Sequence, residues 1–537
     1  MNGKLLAVLR QDIDAFEEKI YEFTNGEIDR KAYKGFSGGF GSYAQRENGY
    51  SMLRLRLPGG RLTKERLGFI AECAEKYSVP RMKLTTCQTI QMHDLPPQSV
   101  VEIMKRALDY DIITRGGGGD FPRNVMVSPL TGVEQGEYFD VLPYAERAGD
   151  YLMGMIKTVK LPRKLKVGFS NSPANVTHAT FRDLGFMAKE NGLFDVYSAG
   201  GLGNNYKMGV KVAENVKPEE VLYYVEAMVR TFTTYGNYES RAKSRTRYMQ
   251  ETLGVEGYKK AYQEKLLEVK AKFKDSLLIK SSVSAEQESN TEESVVNIKE
   301  QESQLKNVAA YPQTESASER VITQKQAGLY AVAYHPVGGM VPAQKFEEIY
   351  EGIKNAAKAE VRVAPDETLY IINLNAQQAE KIHKITADGA KNLFETSVSC
   401  IGSTVCQIGL RDSQGLLASI VEAVEPYHFA DGVLPRIHIS GCPSSCGTHQ
   451  IGKLGFRGAS KSVNEKAEPA FAFYVNGQDT QGEERFGEEW GVMLATDIPK
   501  FFVELGTVIS EEKVSYEQWY KKNMDTLKNI AEPYLQK

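Results

Sequence analysis

The sequence predicts an α+β fold built by internal duplication, each half holding a small module and a larger one. Three observations carry this reading. The chain of 537 residues exceeds one domain several-fold. A compositionally distinct segment near its middle separates two halves. Those halves match each other at a constant offset of 279 without gaps, Gly49 meeting Gly328, Gly59 and Gly60 meeting Gly338 and Gly339, and Thr89 meeting Thr368. Apolar positions keep the same register: Leu53 with Val332, Leu67 with Phe346, Ile70 with Ile349, Leu84 with Val363, Ile90 with Leu369 and Ile103 with Ile382.

Each small module reads as strand, helix, strand, helix. Apolar alternation marks GYSMLRLRLPGG (49–60) and RMKLTTCQTIQMH (81–93) as strands in the first copy. GLYAVAYHPVGG (328–339) and AEVRVAPDETLYIIN (359–373) are their counterparts, and a 3.6-residue apolar rhythm marks the helices between. Further along, Leu161-Pro162-Arg163 matches Leu434-Pro435-Arg436 at an offset of 273, which also pairs Gly168 with Gly441. At that offset Lys164 and Lys166, on a strand, stand where the second copy has Ile437 and Ile439, and Phe169 stands where it has Cys442. If a pseudo-twofold axis relates the halves, a basic arm faces a thiolate arm over one shared cleft.

The resulting organisation is an N-terminal extension (1–40), a first small module (41–115), a first larger module carrying the basic residues (116–280), an acidic linker (281–320), a second small module (321–390) and a second larger module with the clustered cysteines (391–537). The linker holds eight Ser and eight Glu with a single aromatic, Tyr311. Such a composition buries too little apolar surface to offset its ordering entropy, leaving at most a frayed helix over 295–307.

Lys+Arg 66 against Asp+Glu 69 gives a net charge of −3, which argues against a polycation that coats nucleic acid or anionic membrane. The opening MNGKLLAVLRQDIDAF has too short an apolar run for a signal peptide, and no stretch of 18 apolar residues occurs. A cytoplasmic protein with neither membrane nor nucleic-acid partners is expected. Six cysteines are too few for a disulfide scaffold. GGGG (116–119) and AGGLG (199–203) fit no phosphate-loop pattern and read as tight backbone turns.

Four of the six cysteines cluster: Cys400, Cys406, Cys442 and Cys446, spaced C-x5-C, 35 residues, C-x3-C. Four soft thiolates suit zinc or an iron–sulfur cluster. The spacing matches neither the C-x2-C knuckles of structural zinc nor the ferredoxin C-x2-C-x2-C run. Uncharged surroundings (SVSCIGSTVCQIGL) and small residues (HISGCPSSCGTHQIG) let backbone N–H groups approach sulfur, which favours the cluster. A zinc knot or four core thiols are the alternatives, and Cys73, in LGFIAECAEKY, reads as core.

With C-x5-C…G-C-P-x-x-C-G, MLRLRLPGG (52–60), LTTCQTIQMH (84–93), GGDFPRNV (118–125), LPRKLK (161–166), GGLG (200–203) and RAKSRTRY (241–248), the chain resembles the siroheme-containing sulfite and nitrite reductases over nearly its whole length outside the linker. The resemblance implies two ferredoxin-like small modules plus two larger α/β siroheme-binding modules related by a pseudo-twofold axis. It implies that the four cysteines bind a [4Fe–4S] cluster and that Cys446 also bridges to the siroheme iron. Siroheme bears many carboxylates, for which Arg54, Arg56, Arg163, Arg241, Arg245 and Arg247 are candidate partners. Arg123, Lys164 and Lys166 match the family's substrate positions, where cations neutralise the anion and relay protons. The implied reaction is six-electron reduction of sulfite to sulfide, with nitrite to ammonia as the alternative. Since no flavin or nicotinamide domain is recognisable, electrons come from another protein, ferredoxin or similar. One position departs from the family: Cys87 stands where an arginine is common, and Arg46 or Arg81 are candidates to replace that charge.

Overall fold

A computed structural model describes residues 3–280 and 320–535, so the linker, apart from Arg320, lies outside the described residues. Among the described residues, twenty strands form four five-stranded sheets.

The first small module contains β1 (Ser42–Ala44), β2 (Ser51–Arg56), β3 (Arg61–Leu62), β4 (Arg81–Leu84) and β5 (Thr89–Leu95), with helices Lys64–Lys76 and Pro97–Ala107. The expected strand over 81–93 is therefore a hairpin. Thr85 breaks it: the Gln88 N–H donates to the Thr85 carbonyl (2.9 Å), and the Thr85 hydroxyl accepts from the backbone N–H groups of Cys87 and Thr89. This puts Cys87 on a turn rather than in a ladder. The first larger module holds β6 (Met126–Val127), β7 (Val167–Ser170), β8 (Leu184–Ala188), β9 (Phe194–Ser198) and β10 (Val210–Val216), paired in sequence order.

The second half repeats both. Its small module has β11 (Val321–Thr323), β12 (Tyr330–Tyr334), β13 (Met340–Val341), β14 (Glu360–Val363) and β15 (Leu369–Leu374). Its larger module has β16 (Val398–Ser399), β17 (Ile437–Ser440), β18 (Leu454–Val463), β19 (Lys466–Val475) and β20 (Glu488–Leu494). Both larger sheets open with three parallel strands and continue antiparallel.

The small modules exchange strands. β3 pairs with β14 (Leu62 opposite Val361), and β13 pairs with β4 (Val341 opposite Met82), so each completes the other's sheet. The two pairings are related by the same offset of 279 that aligns the sequences. The matched glycine pairs explain themselves: Gly60 (φ 68°) and Gly339 (φ 67°) both turn left-handed into the exchanged strand. One hydrophobic core spans both small modules, joining Leu53, Ile70 and Ile90 to Val332, Ile349 and Leu369. The N-terminal extension belongs to it: helix Gly3–Thr24 buries Leu9, Ile13, Phe16 and Ile20, at helical spacing, in that core. Each larger module keeps a core of its own.

In the larger modules the register differs from the sequence expectation. β7 aligns on β8 with Val167 opposite Leu184, and β17 on β18 with Ile437 opposite Leu454, an offset of 270 rather than 273. Residues 164–166 are thus a three-residue insertion after Leu-Pro-Arg, without counterpart in the second copy. Ile437 and Ile439 are the counterparts of Val167 and Phe169, and Cys442 answers to Ser172.

Candidate functional site

The thiol arm grows from the carboxyl ends of β16 and β17. Cys400 follows β16 directly, its N–H donating to the Ile439 carbonyl at 3.1 Å. The turn after it is closed by the Cys406 N–H to the Gly402 carbonyl (2.9 Å). The Gly441 N–H donates to Cys400 Sγ at 3.2 Å, and Ser413 Oγ lies 3.1 Å from the same sulfur. Gly447 is sterically required, because a Cβ there would sit 1.9 Å from the Ile439 carbonyl oxygen. Burial pushes the Cys400 thiol up, against the hydrogen bonds of Gly441 and Ser413. Cys446 is the most accessible of the four, yet protein packs densely around its sulfur. Desolvation there, with Cys400, Cys442 and Cys406 adding, pushes its thiol up to about 12, and Lys164 opposes them. All four cysteines therefore occupy one electrostatic neighbourhood.

The cationic arm comes from the first copy. Leu165 bridges Pro122, and its carbonyl accepts from the Arg123 N–H at 2.8 Å, while the Lys166 N–H donates to Asp183 Oδ2 at 2.8 Å. Lys164 and Lys166 thus sit on the lead-in to β7, not within the strand, yet they flank one residue and reach the same space. Both line a cavity of about 30 Å³ together with Thr86, Arg182, Arg245 and Ser444. Burial lowers both ammonium groups; Arg245, Lys166 and Arg123 lower Lys164 further. The arms meet across the duplication: the Thr86 hydroxyl donates to the Cys446 carbonyl at 2.9 Å, and Gln450 Nε2 donates to the Gly203 carbonyl at 3.3 Å.

The remaining candidates divide. Arg245 lines the cavity, held by both oxygens of Asp183 at 3.1 Å. Arg123 is held by the Gly117 carbonyl, as is Arg54 at 2.7 Å. Arg247 grips the carbonyls of Asn204 and Asn205 beside Gly201 and Gly203. Arg56, buried, donates to the carbonyls of Arg115 and Arg123, and burial lowers it to about 9. Arg163 and Arg241 both pair with Asp120, Arg241 with its side chain 67% exposed. Arg46 and Arg81 do not replace the charge expected at Cys87. Arg46 binds the Gly409 carbonyl at 3.1 Å, Arg81 pairs with Asp94, and neither lines the cavity.

Sequence reasoning missed Arg182. It is 5% exposed, lines the cavity, and acts electrostatically on Cys87. A lone charged pair, Arg182-Asp183, inside the otherwise uncharged HATFRDLGFMA was the available signal. Cys73 is core as expected, fully buried, and burial pushes its thiol up to about 12. The four-glycine run serves close packing: a Cβ on Gly118 would meet the Gly38 carbonyl at 2.3 Å.

Two family models match this chain. Residues 43–110 match the nitrite/sulfite reductase ferredoxin-like half domain, and residues 118–270 match the nitrite and sulphite reductase 4Fe-4S domain. These segments carry two domains of the nitrite and sulfite reductase family. The chain is an oxidoreductase of the kind that works with siroheme and a [4Fe–4S] cluster. The sulfite reductase [NADPH] hemoprotein beta-component of Anoxybacillus flavithermus is 23% identical over 458 residues, covering 76% of this chain and 74% of that protein. The ferredoxin–nitrite reductase of Synechococcus elongatus is 25% identical over 438 residues (76% and 77%). The fold matches that of the NirA protein of Mycobacterium tuberculosis with a TM-score of 0.76 at 21% identity, covering 97% of each chain. The duplicated α+β architecture is the family's. Among the described residues no helix is long and apolar enough to cross a membrane.

The residues present fit both groups. Around the cleft, Arg123 Nε, Arg182 Nη2, Arg245 Nε and Arg247 Nη1 are buried without a hydrogen-bond partner. Buried guanidinium donors left open suit a polycarboxylate. Among the described residues no three His, Cys, Asp or Glu side chains converge on a single-ion site.

Proposed function

We propose that this protein reduces sulfite to sulfide, with Cys400, Cys406, Cys442 and Cys446 holding the [4Fe–4S] cluster and Cys446 also reaching the siroheme iron. When bound, that pair of groups would relay to the substrate, one at a time, the six electrons that the donor protein supplies. Every other part of the chemistry belongs to side chains. Lys164 and Lys166, joined by Arg123, neutralise the oxyanion in a desolvated cleft, where fixed cations act far more strongly than in water. The two ammonium groups, both lowered by burial, give up protons more readily than free lysine, which suits them to protonate oxygens that leave as water. Arg245 and Arg247, with open donors beside the Cys442–Cys446 loop, anchor cofactor carboxylates, and Arg54 supports Arg123 from behind. The donor is an external protein of the ferredoxin type, since the chain carries no recognisable flavin or nicotinamide module.

The observation carrying this reading is the pair Lys164 and Lys166 in one cavity that faces the Cys446 loop. Paired lysines at this site lean toward sulfite. Cys87, in place of a fixed cation, leaves the second reading open, nitrite to ammonia. Steady-state assays with reduced viologen separate them: kcat/KM for sulfite should exceed that for nitrite, and a much larger value for nitrite would reverse the order.

A further inference from the structure

Behind the thiol arm the two copies solve one packing problem with different chemistry. The hairpin turn of the first small module ends at Gln88 and that of the second at Glu367, matched at the offset of 279 and both left-handed (φ 55° and 71°). Gln88 is buried, and its amide clips the strand ahead of Ser128: Oε1 accepts from the Val127 N–H at 2.8 Å, and Nε2 donates to the carbonyls of Val127 and Val363, each at 2.8 Å. Glu367 holds the strand ahead of Cys400, its Oε2 accepting from the Ser399 N–H at 3.4 Å. Ser128 and Cys400 are themselves counterparts, donating to the Phe169 and Ile439 carbonyls at 3.1 Å each. A carboxylate has no N–H to give, and Lys83 of β4 supplies it: the ammonium pairs with Glu367 and donates to the Leu84 carbonyl at 2.8 Å. Leu84 is the match of Val363, so Lys83 Nζ takes the place of the Gln88 amide nitrogen. The matched glycines meet the same exchange: a Cβ on Gly60 would lie 3.1 Å from Gln88 Nε2, one on Gly339 2.5 Å from Lys83 Nζ.

One copy thus uses a neutral amide where the other uses two charges, 3% and 2% exposed. A buried ion pair gains little stability over a neutral, well-packed arrangement, and Gln88 shows that the neutral arrangement closes the same turn. Stability does not account for the charges. Their location does: the carboxylate binds the residue next to Cys400, and Cys400 and Cys446 are among the groups that act on Lys83. Neither thiol is among the groups acting most strongly on Glu367, so the ammonium is the member coupled to them. We infer that Lys83, held in place by Glu367, sets the reduction potential of the cluster, a fixed cation behind the Cys400 arm favouring the added electron. The inference rests on the reading of the four cysteines as ligands of a [4Fe–4S] cluster. Charges act on one another far more strongly in a protein interior than in water, and the charge around a cluster is one of the factors that set its potential. Neither residue touches substrate. Lys83 acts through the cluster, and Glu367 positions both the ammonium and the Ser399 backbone.

Redox titration of the holoenzyme, followed by the electron paramagnetic resonance of the reduced cluster, tests this. Run at pH 8, above the value of about 7 to which burial raises Glu367, it keeps that carboxylate charged. Lys83→Met should shift the cluster midpoint to lower potential and Glu367→Gln to higher potential. Lys83→Met alone leaves a buried carboxylate unpaired, so the double variant Lys83→Met/Glu367→Gln, which restores the amide of the first copy, guards against a failure to fold; it too should shift to lower potential. Arg362→Met, at the position matching Lys83 and paired with Glu360, should lower Tm without moving the midpoint. Equal midpoints in wild type, Glu367→Gln and the double variant, or an equal shift in Arg362→Met, would overturn the inference while leaving the cluster standing. Absence of a [4Fe–4S] signal from reduced wild type would overturn the cluster reading and this inference with it.

Discussion

The two larger modules share a sheet order and a register, yet they arm opposite ends of the same second strand. In the first, a three-residue insertion ahead of β7 carries Lys164 and Lys166; in the second, the loop after β17 carries Cys442 and Cys446. The counterpart of Cys442 is Ser172, and the insertion has no counterpart. The matched arginines take different partners: Arg163 pairs with Asp120, and Arg436 pairs with Asp366, which stands at the offset of 279 from Cys87. Duplication supplied two equivalent scaffolds, and chemistry was placed where they are not equivalent. A charged arm and a thiol arm can then meet without either disturbing the other's core.

The largest expected effect comes from the thiol arm. Cys446→Ser should abolish turnover and lower iron content, whereas Ser172→Cys at the matching position of the first copy should change neither. Full activity with an unchanged visible spectrum in Cys446→Ser would break the assignment. On the cationic arm, Lys166→Met should cut kcat/KM on the order of 10²-fold or more, the usual consequence of removing a preorganised charge donor. Arg436→Met, on the symmetric element of the other copy, should leave kcat/KM unchanged and cost about 1 kcal/mol, since its ion pair is partly exposed.

Acid should weigh on the second half more heavily. His335 and His449 are held near 3 and His438 near 4 by burial, against His93, near 3, and His178, also lowered by burial, in the first half. Free histidine takes a proton near 6.5. The unfolded chain therefore binds protons that the fold refuses, and stability present above about 6.5 is lost as pH falls toward these depressed values, by up to ~1.4 kcal/mol per pH unit for each group. Thermal unfolding followed from pH 7 to 5 should show this decline, and His449→Phe should flatten it; an unchanged slope would contradict the account. The smallest contrast lies at the glycine pairs. Gly60→Ala would press on the Val363 carbonyl at 2.4 Å, Gly339→Ala on the buried Lys83–Glu367 pair at 2.5 and 2.7 Å, side-chain ends rather than backbone. Both carry a left-handed penalty of roughly 1–2 kcal/mol, and Gly60→Ala should have the lower Tm.

Much of this was legible in the sequence, for identifiable reasons. The offset of 279 could be read because the small modules exchange strands, which ties each glycine turn to the other copy and leaves it no freedom to drift. The cysteines were legible because sulfur is rare and their neighbours are small. The Thr85–Gln88 turn was not, since Met82, Leu84, Ile90 and Met92 keep one alternation across a hairpin whose turn is held by a threonine hydroxyl. Arg182 escaped because the residues that give it meaning, Cys87 and Lys166, converge on it only in the fold. The offset of 273 misled because Leu-Pro-Arg is conserved in place while the insertion follows it.

The central claim, that the two arms enclose siroheme joined to a [4Fe–4S] cluster, is tested most directly on anaerobically purified protein by its visible spectrum with iron, zinc and acid-labile sulfide analyses. The account predicts siroheme bands and about five irons per chain, one in the macrocycle and four in the cluster. Zinc in place of iron, or iron without siroheme bands, would contradict it.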